Sequence, residues 1–321
     1  MTGALAEGYP ETMNMTDQDT LVRKSAFEWL ELQSHLHSGV LPRKLLLQGF
    51  EFKGKRVPLV SPQGIFKPAV CPEIPLTITT SPSGGPYSDS FTDDHQLLYS
   101  YRGTNPNHRD NVGLREARRR QVPLIYLFGL MPGRYLPVWP VFIVNDDPKA
   151  LRFTVMADDQ ASLNKTLLTS ATNAVEDEHD ESRRQYITTV VQKRLHQASF
   201  RERVLSAYQD RCALCRLGHR QLLDASHILP DNDPRGAPEV SNGLALCKIH
   251  HAAFDRHFLG IRPDSVVQIR ADLLAESDGP MLQHGLKDLH GRRITSPKKK
   301  TERPDPEALA ERYDQFMEFH P

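Results

Sequence analysis

Four residues in the second half of the chain have types and spacings that suit a tetrahedral ion: Cys212-x2-Cys215 in CALC, and Cys247-x2-His250 in CKIH. A two-residue gap lets both side chains of each pair converge on one centre, and together the pairs supply three thiolates and one imidazole. A closed Cys3His set describes a structural zinc ion (Zn2+), which replaces core that a small module lacks. The fourth cysteine, Cys71, stands apart, so the grouping of the others beside histidines favours a metal over disulfides. Between and beside the two pairs lie Asp224, His227, Asn242, His251 and Asp255. These side chains can hold a cation, move a proton or clamp a backbone.

The text around them, DASHILP, SNGLALC and KIHHAAFDRH, resembles the HNH, or ββα-metal, nucleases. The resemblance implies that His227 closes a strand and acts as general base on a water. It implies that Asn242, followed by Gly243, holds that histidine in place through the backbone, and that His251 on the following helix helps bind a catalytic divalent ion while His250 takes the zinc position. Phosphodiester cleavage needs a deprotonated water, charge neutralisation on the phosphate and stabilisation of the departing oxygen. An imidazole and one hard ion, Mg2+ or Mn2+, suit these tasks. Many family members carry an acid directly before the base histidine, where this chain has Ser226. Asp224 can substitute, since residues one and three before His227 share a strand face. Asp255, four residues after His251 on a helix, is a second candidate, and either is otherwise a structural carboxylate. From about Gln185 onward the chain resembles the HNH modules of bacterial restriction enzymes that attack modified DNA.

The elements that must position these groups read as an α+β chain. Residues 1–40 are an arm and a packing helix over 20–37. Residues 41–157 are strand-rich, with runs such as LLLQGFEF, PLTITT, VPLIYLFGL, PVFIV and RFTVM between turn-forming clusters, and one helix over 112–121. Residues 158–205 read as a helical connector, 206–290 as the nuclease module, and 291–321 as a basic linker and a helix started by Asp305-Pro306. The connector has an apolar stripe and a basic remainder including Lys193 and Arg194, which suits phosphate contact or simple solvation.

Within the strand-rich part, GGPYSDSFTDDHQLLYSYRG resembles an SRA (YDG-type) domain, a PUA-type barrel that flips a modified cytosine out of DNA. The resemblance implies a base pocket with Tyr87 and Tyr101 stacking and Asp89 reading the exocyclic amine, a role that Asp93 or Thr92 takes if the loop differs. Tyr in strands and Asp in loops also serve simple packing and turns. Arg102, Arg118, Arg119 and Arg120 are the candidate backbone contacts. Forty basic and forty acidic residues cancel, so only local surface can favour a polyanion. No run of about eighteen apolar residues and no basic-then-apolar start occur, and a soluble, cytoplasmic protein is expected, without membrane contact. The expected partner is double-stranded DNA carrying 5-methylcytosine, engaged by a homodimer because one HNH site cuts one strand. The rivals are an HNH nuclease of other specificity, as in homing or phage defence, and a non-catalytic zinc-stapled DNA-binding protein.

Overall fold

The computed structural model describes residues 15–81, 90–91, 96–158, 178–231 and 233–319, in two compact units, Met1–Lys193 and Arg194–Pro321. In the first unit, α1 (Met15–Leu36) buries Val22, Ala26 and Leu30 completely, because a four-residue step returns to one helix face. Arg23 on the same helix is also buried, and it is satisfied: it donates to the carbonyls of Pro75 (3.1 Å) and Pro123 (2.9 Å) and pairs with Asp19 (2.7 Å). A buried cation with every direction occupied pins the helix to the loops that precede two central strands.

Next come β1 (Leu41–Pro42), α2 (Arg43–Gln48), β2 (Phe50–Phe52) and β3 (Lys55–Val57). The run LLLQGFEF, read above as one strand, is therefore a helical turn and a strand divided at Gly49. Of the three leucines only Leu46 is fully buried, and Leu47 is exposed, the burial of a helix and not of a pleat. Gly49 has φ 60°, and a Cβ there would lie 1.9 Å from the Val57 carbonyl oxygen, so the chain break requires glycine.

The rest of the unit is β4 (Ile65–Phe66), β5 (Thr77–Thr80), β6 (Ser90–Phe91), β7 (Leu97–Ser100), α3 (Arg109–Arg119), β8 (Leu124–Met131), β9 (Arg134–Asp147) and β10 (Arg152–Ala157). The sheet order is β4-β5-β8-β9-β10-β7-β6, with β1 added on β9. The one parallel pair among the described residues is β5 and β8. Among the described residues this path is open at both ends. Leu124, Ile125, Tyr126 and Leu127 on β8 are all buried, as expected of a central strand covered on both faces. Helix α3 starts three residues earlier than its apolar pattern predicts, because the His108 ring accepts from the Asp110 amide (3.2 Å) and caps it.

Helix α4 (Glu178–Ala207) runs through the division between units. In the first unit Thr188 Oγ1 accepts from the Ala157 amide (2.9 Å), while Arg183 (3.2 Å) and Arg184 (2.9 Å) pair with buried Asp158. Two cations of its basic face are thus committed to packing.

In the second unit the end of α4 contributes Phe200, Val204 and Leu205 to the core. Strands β11 (Leu223–His227) and β12 (Gly243–Cys247) pair antiparallel with His227 opposite Gly243, and α5 (Lys248–Asp255) follows directly. A Cβ at Gly243 would meet Val204 at 2.5 Å and Phe200 at 2.9 Å, so its absence lets α4 lie against the hairpin. The unit closes with β13 (Leu259–Ile261), β14 (Val267–Ile269), α6 (Ala271–Ala275), α7 (Pro280–Gly285) and α8 (Pro306–Glu318). Asp305 caps α8, accepting from the Glu307 amide at 3.0 Å.

The basic segment read as a linker is instead an ordered strap: the amides of Ile294, Thr295 and Asp305 donate to the carbonyls of Ser265 (3.0 Å), Ala213 (2.8 Å) and Ser241 (3.0 Å). Buried Ile294 explains why it lies down. Among the described residues, no helix is long and apolar enough to cross a membrane.

Candidate active site

The ligand atoms of Cys212, Cys215, Cys247 and His250 all lie within 4.8 Å of one another. A tetrahedral zinc with bonds of roughly 2.3 Å to sulfur needs ligand separations of about 3.8 Å, so the donor set fits that ion. Each clip has a local cause. Cys212 and Cys215 occupy a tight turn in which the Arg216 amide donates to the Cys212 carbonyl (3.1 Å) and the Cys212 amide to the Leu217 carbonyl (3.0 Å). Cys247 ends β12, and His250 sits in the first turn of α5. The His250 Nε2–H donates to the Gly285 carbonyl at 2.8 Å, which leaves Nδ1 facing Cys247 Sγ (3.2 Å) and Cys212 Sγ (3.4 Å). Such an outer hydrogen bond selects the tautomer that binds metal. Hydrogen bonds from Cys215 and Cys247 outweigh burial and hold the Cys212 sulfur well below the ordinary thiol range, and thiolate is the form that binds zinc.

His227 closes β11 with its ring stacked on Phe200, centroids 4.0 Å apart and planes 12° from parallel. Its Nε2 is shut from solvent without a hydrogen bond; Asp231 Oδ1 approaches to 2.8 Å, off the hydrogen-bonding direction. Burial lowers the His227 pKa and the charge of His251 adds to this, against Asp231 and Asp255, so the ring is held as the neutral base. An orphaned, buried imidazole nitrogen beside a cluster of carboxylates is a fit for a water or phosphate oxygen steadied by a divalent ion.

Asn242 fixes the turn that follows His227. Its side-chain oxygen accepts from the Leu229 amide (2.9 Å) and its nitrogen donates to the carbonyls of Leu229 (2.9 Å) and Ala237 (3.2 Å), while its own carbonyl accepts from the Ile228 amide (2.9 Å). Asn242→Ala unpairs the buried Leu229 amide and carbonyl, each costing about 1–3 kcal/mol. A lowered melting temperature together with slower cleavage is expected. An unchanged melting temperature contradicts the clip.

His251 stands between two acids, Nδ1 at 3.4 Å from Asp224 and Nε2 at 3.2 Å from Asp255. Hydrogen bonds to Asp224 first and Asp255 second raise its pKa to about 9. Asp224, lowered to about 2 chiefly by His251, also binds Lys248 Nζ at 2.6 and 2.8 Å, and Arg201 Nε lies 3.9 Å away. The Ser226 hydroxyl is among the groups that lower the Asp255 pKa, after burial, which opposes, and His251. The serine that stands in the acid's place is thus near a carboxylate from the facing helix.

Sequence reasoning did not single out Phe200, Lys248, Asp231 or the Gly285 carbonyl. Lys248 had a usable signal, three residues before His251 on one helix face. Phe200 had none beyond its place in an apolar stripe.

In the first unit, Tyr101 is 1% exposed, stacked on Phe153 at 4.5 Å, with its hydroxyl on Asp146. The structure therefore puts this ring in the core and not on a pocket wall; the reason is the alternation of β7, which turns it inward. Tyr87, Asp89, Thr92 and Asp93 lie outside the described residues. Arg102 is held by Asp110 and Gln63, and Arg118 donates to the Val144 carbonyl (3.0 Å). Arg119 and Arg120 pair with Glu116, and Arg120 also with Glu73. Of the four candidate backbone contacts, Arg102, Arg119 and Arg120 are thus paired with carboxylates, and Arg118 is held by a carbonyl alone. Lys193 and Arg194 are exposed on α4.

Residues 212–262 match the HNH endonuclease family model, and that stretch holds every zinc ligand with His227, Asn242 and His251. The second unit carries an HNH endonuclease domain. A comparison with curated proteins finds no match. Among solved structures, the chain is similar to a modification-dependent TagI restriction endonuclease, with 16% identity, covering 76% of this chain and 82% of that one at a TM-score of 0.27. It is also similar to the type IV phosphorothioation-dependent restriction endonuclease ScoMcrA, with 17% identity over 59% of this chain and 54% of that one at a TM-score of 0.21. Scores this low do not establish a shared fold.

Proposed function

We propose that this chain is a modification-dependent restriction endonuclease, in which the first unit recognises 5-methylcytosine in double-stranded DNA by base flipping and the second hydrolyses a phosphodiester bond. The observation that carries the nuclease half is His227, its pKa lowered by burial, its Nε2 without a hydrogen bond and 2.8 Å from Asp231, its ring backed by Phe200, within electrostatic reach of His251 and Asp255. His227 takes the proton from the attacking water as the oxygen bonds to phosphorus and the departing oxygen leaves. His251, on losing the proton that Asp224 and Asp255 stabilise, would join those two carboxylates as the donor set for Mg2+ or Mn2+. When bound, that ion neutralises the phosphate and steadies the leaving oxygen. Lys248 holds Asp224 in place meanwhile.

The reader half is supported by the SRA-like text from Gly84 to Gly103 and by the presence of a separate β-rich unit beside a nuclease that needs a discriminating partner. In this reading Tyr87 and Asp89 serve the base, while Tyr101 is a core residue stacked on Phe153. Two copies acting together make a double-strand break.

Digestion of matched plain, methylated and hydroxymethylated plasmids with magnesium, manganese, cobalt or nickel tests this, beside a His227→Ala control. Cutting of the methylated plasmid alone is expected. Equal cutting of plain plasmid removes the reader. Absence of cutting with every metal, while DNA is bound normally, makes the chain a binding module.

A further inference from the structure

The strap of residues 293–306 has a role that packing does not account for. Where it crosses the second unit it walls a cleft of about 710 Å3. Arg293, Lys300 and Arg303 line it with the hydroxyl residues Ser241, Ser265 and Ser296. Among the described residues none of the three cations has a carboxylate within ion-pair distance. Arg293 donates to the Asp264 carbonyl (2.6 Å) and Arg303 to the Pro297 carbonyl (3.2 Å), bonds that aim the guanidinium groups and leave their charge uncompensated. Three other nearby cations do pair with carboxylates, Lys299 with Glu302 (2.8 Å), Arg262 with Asp264 (3.1 Å) and Arg270 with Asp272 (2.7 Å). The acid on the cleft wall, Asp305, is engaged as the cap of α8.

Three uncompensated cations beside hydroxyl donors suit an anion with several acceptor oxygens, and guanidinium and ammonium together with hydroxyls are the usual partners of phosphodiester oxygens. The volume admits a phosphodiester with flanking sugars as well as a bare ion. The cleft also belongs to the catalytic hairpin: the Asp305 amide bonds to the Ser241 carbonyl (3.0 Å), and Ser241 directly precedes Asn242.

We propose that this cleft seats a backbone phosphate of the DNA duplex, separate from the phosphate that is cut, and so sets the register of the strand at the hairpin. The identity of the duplex rests on the nuclease reading above; the chemistry of the site does not.

The test is duplex affinity of the full chain across salt concentrations, without added magnesium or manganese, for the parent, Lys300→Gln, Lys300→Arg and the Arg293→Gln/Lys300→Gln pair. Each lost phosphate contact flattens the slope of log affinity against log salt by about 0.9. The double variant is expected to lose one such step, Lys300→Gln a part of it, and Lys300→Arg to keep the parent slope. Lys300 is exposed, so misfolding does not mask the result. Parent-like slopes in both glutamine variants overturn the proposal. So does titration by inorganic phosphate alone that the variants abolish without a change in duplex slope, which marks a free-phosphate site. A parent that shows the slopes but cleaves nothing with any metal defeats the nuclease reading and leaves the cleft standing.

Discussion

His227→Ala is expected to slow phosphodiester cleavage roughly 10^2- to 10^4-fold, the range that a positioned general base contributes. The effect is expected in turnover and not in duplex affinity, because in the proposed role the ring acts on the attacking water while the cations proposed to bind phosphate lie elsewhere. Stability should change little, since the imidazole is braced from outside by Phe200 and by the Asn242 clip, which survive its removal. The pH profile adds a second reading. Burial depresses the His227 pKa, and the neutral form is the active one, so the parent's rate should hold below the ordinary imidazole value of about 6.5 and fall only as pH drops through the lowered value. A rate limb centred above 6.5, or an alanine variant within a few-fold of the parent, contradicts His227 as the base.

The second large effect concerns the zinc clips. Cys212 and Cys247 sit inside the same core cluster as Phe200, Leu244, Phe254 and Leu309, so an ion held by the Cys3His cluster would tie the ends of the hairpin to the helix that carries His251. Cys247→Ser is expected to lose bound zinc and to destabilise the second unit by more than about 4 kcal/mol, the scale reserved for loss of a metal or comparable core damage. A strong chelator acting on the parent should do the same, since the folded donor set and the ion are linked. Cys71 provides the contrast: it is fully buried in the first unit, and burial pushes its thiol up to about 12. Cys71→Ala should leave zinc content unchanged. Metal analysis and thermal melting read both variants; a Cys247→Ser protein with one equivalent of tightly held zinc and the parent's melting temperature removes the structural role.

The clustering of Cys212, Cys215, Cys247 and His250 was legible because it is local: a two-residue gap brings both side chains of each pair together with little help from the rest of the fold. The hairpin and helix around His227 were legible through the resemblance of DASHILP, SNGLALC and KIHHAAFDRH to the HNH nucleases. The brace was not, since Phe200 meets His227 only after α4 packs over Gly243, and no short pattern encodes that approach. The run Leu45–Leu46–Leu47 misled for a related reason: a short apolar run has the same composition in a strand and in a helical turn, and it is Gly49 against Val57 that decides. Glu116 lies within one helical turn of Arg119 and Arg120 and so was a readable partner, whereas Glu73 for Arg120 and the Val144 carbonyl for Arg118 arrive from distant segments. Charge density in a sequence records cations and not their compensation.

The most direct measurement is anomalous diffraction from manganese-soaked crystals of the His227→Ala protein, recorded at the zinc and manganese absorption edges. One zinc peak enclosed by Cys212, Cys215, Cys247 and His250 Nδ1 is expected, and a separate manganese peak beside His251 on the side of residue 227. No zinc among the sulfurs, or manganese bound away from His251, contradicts the account.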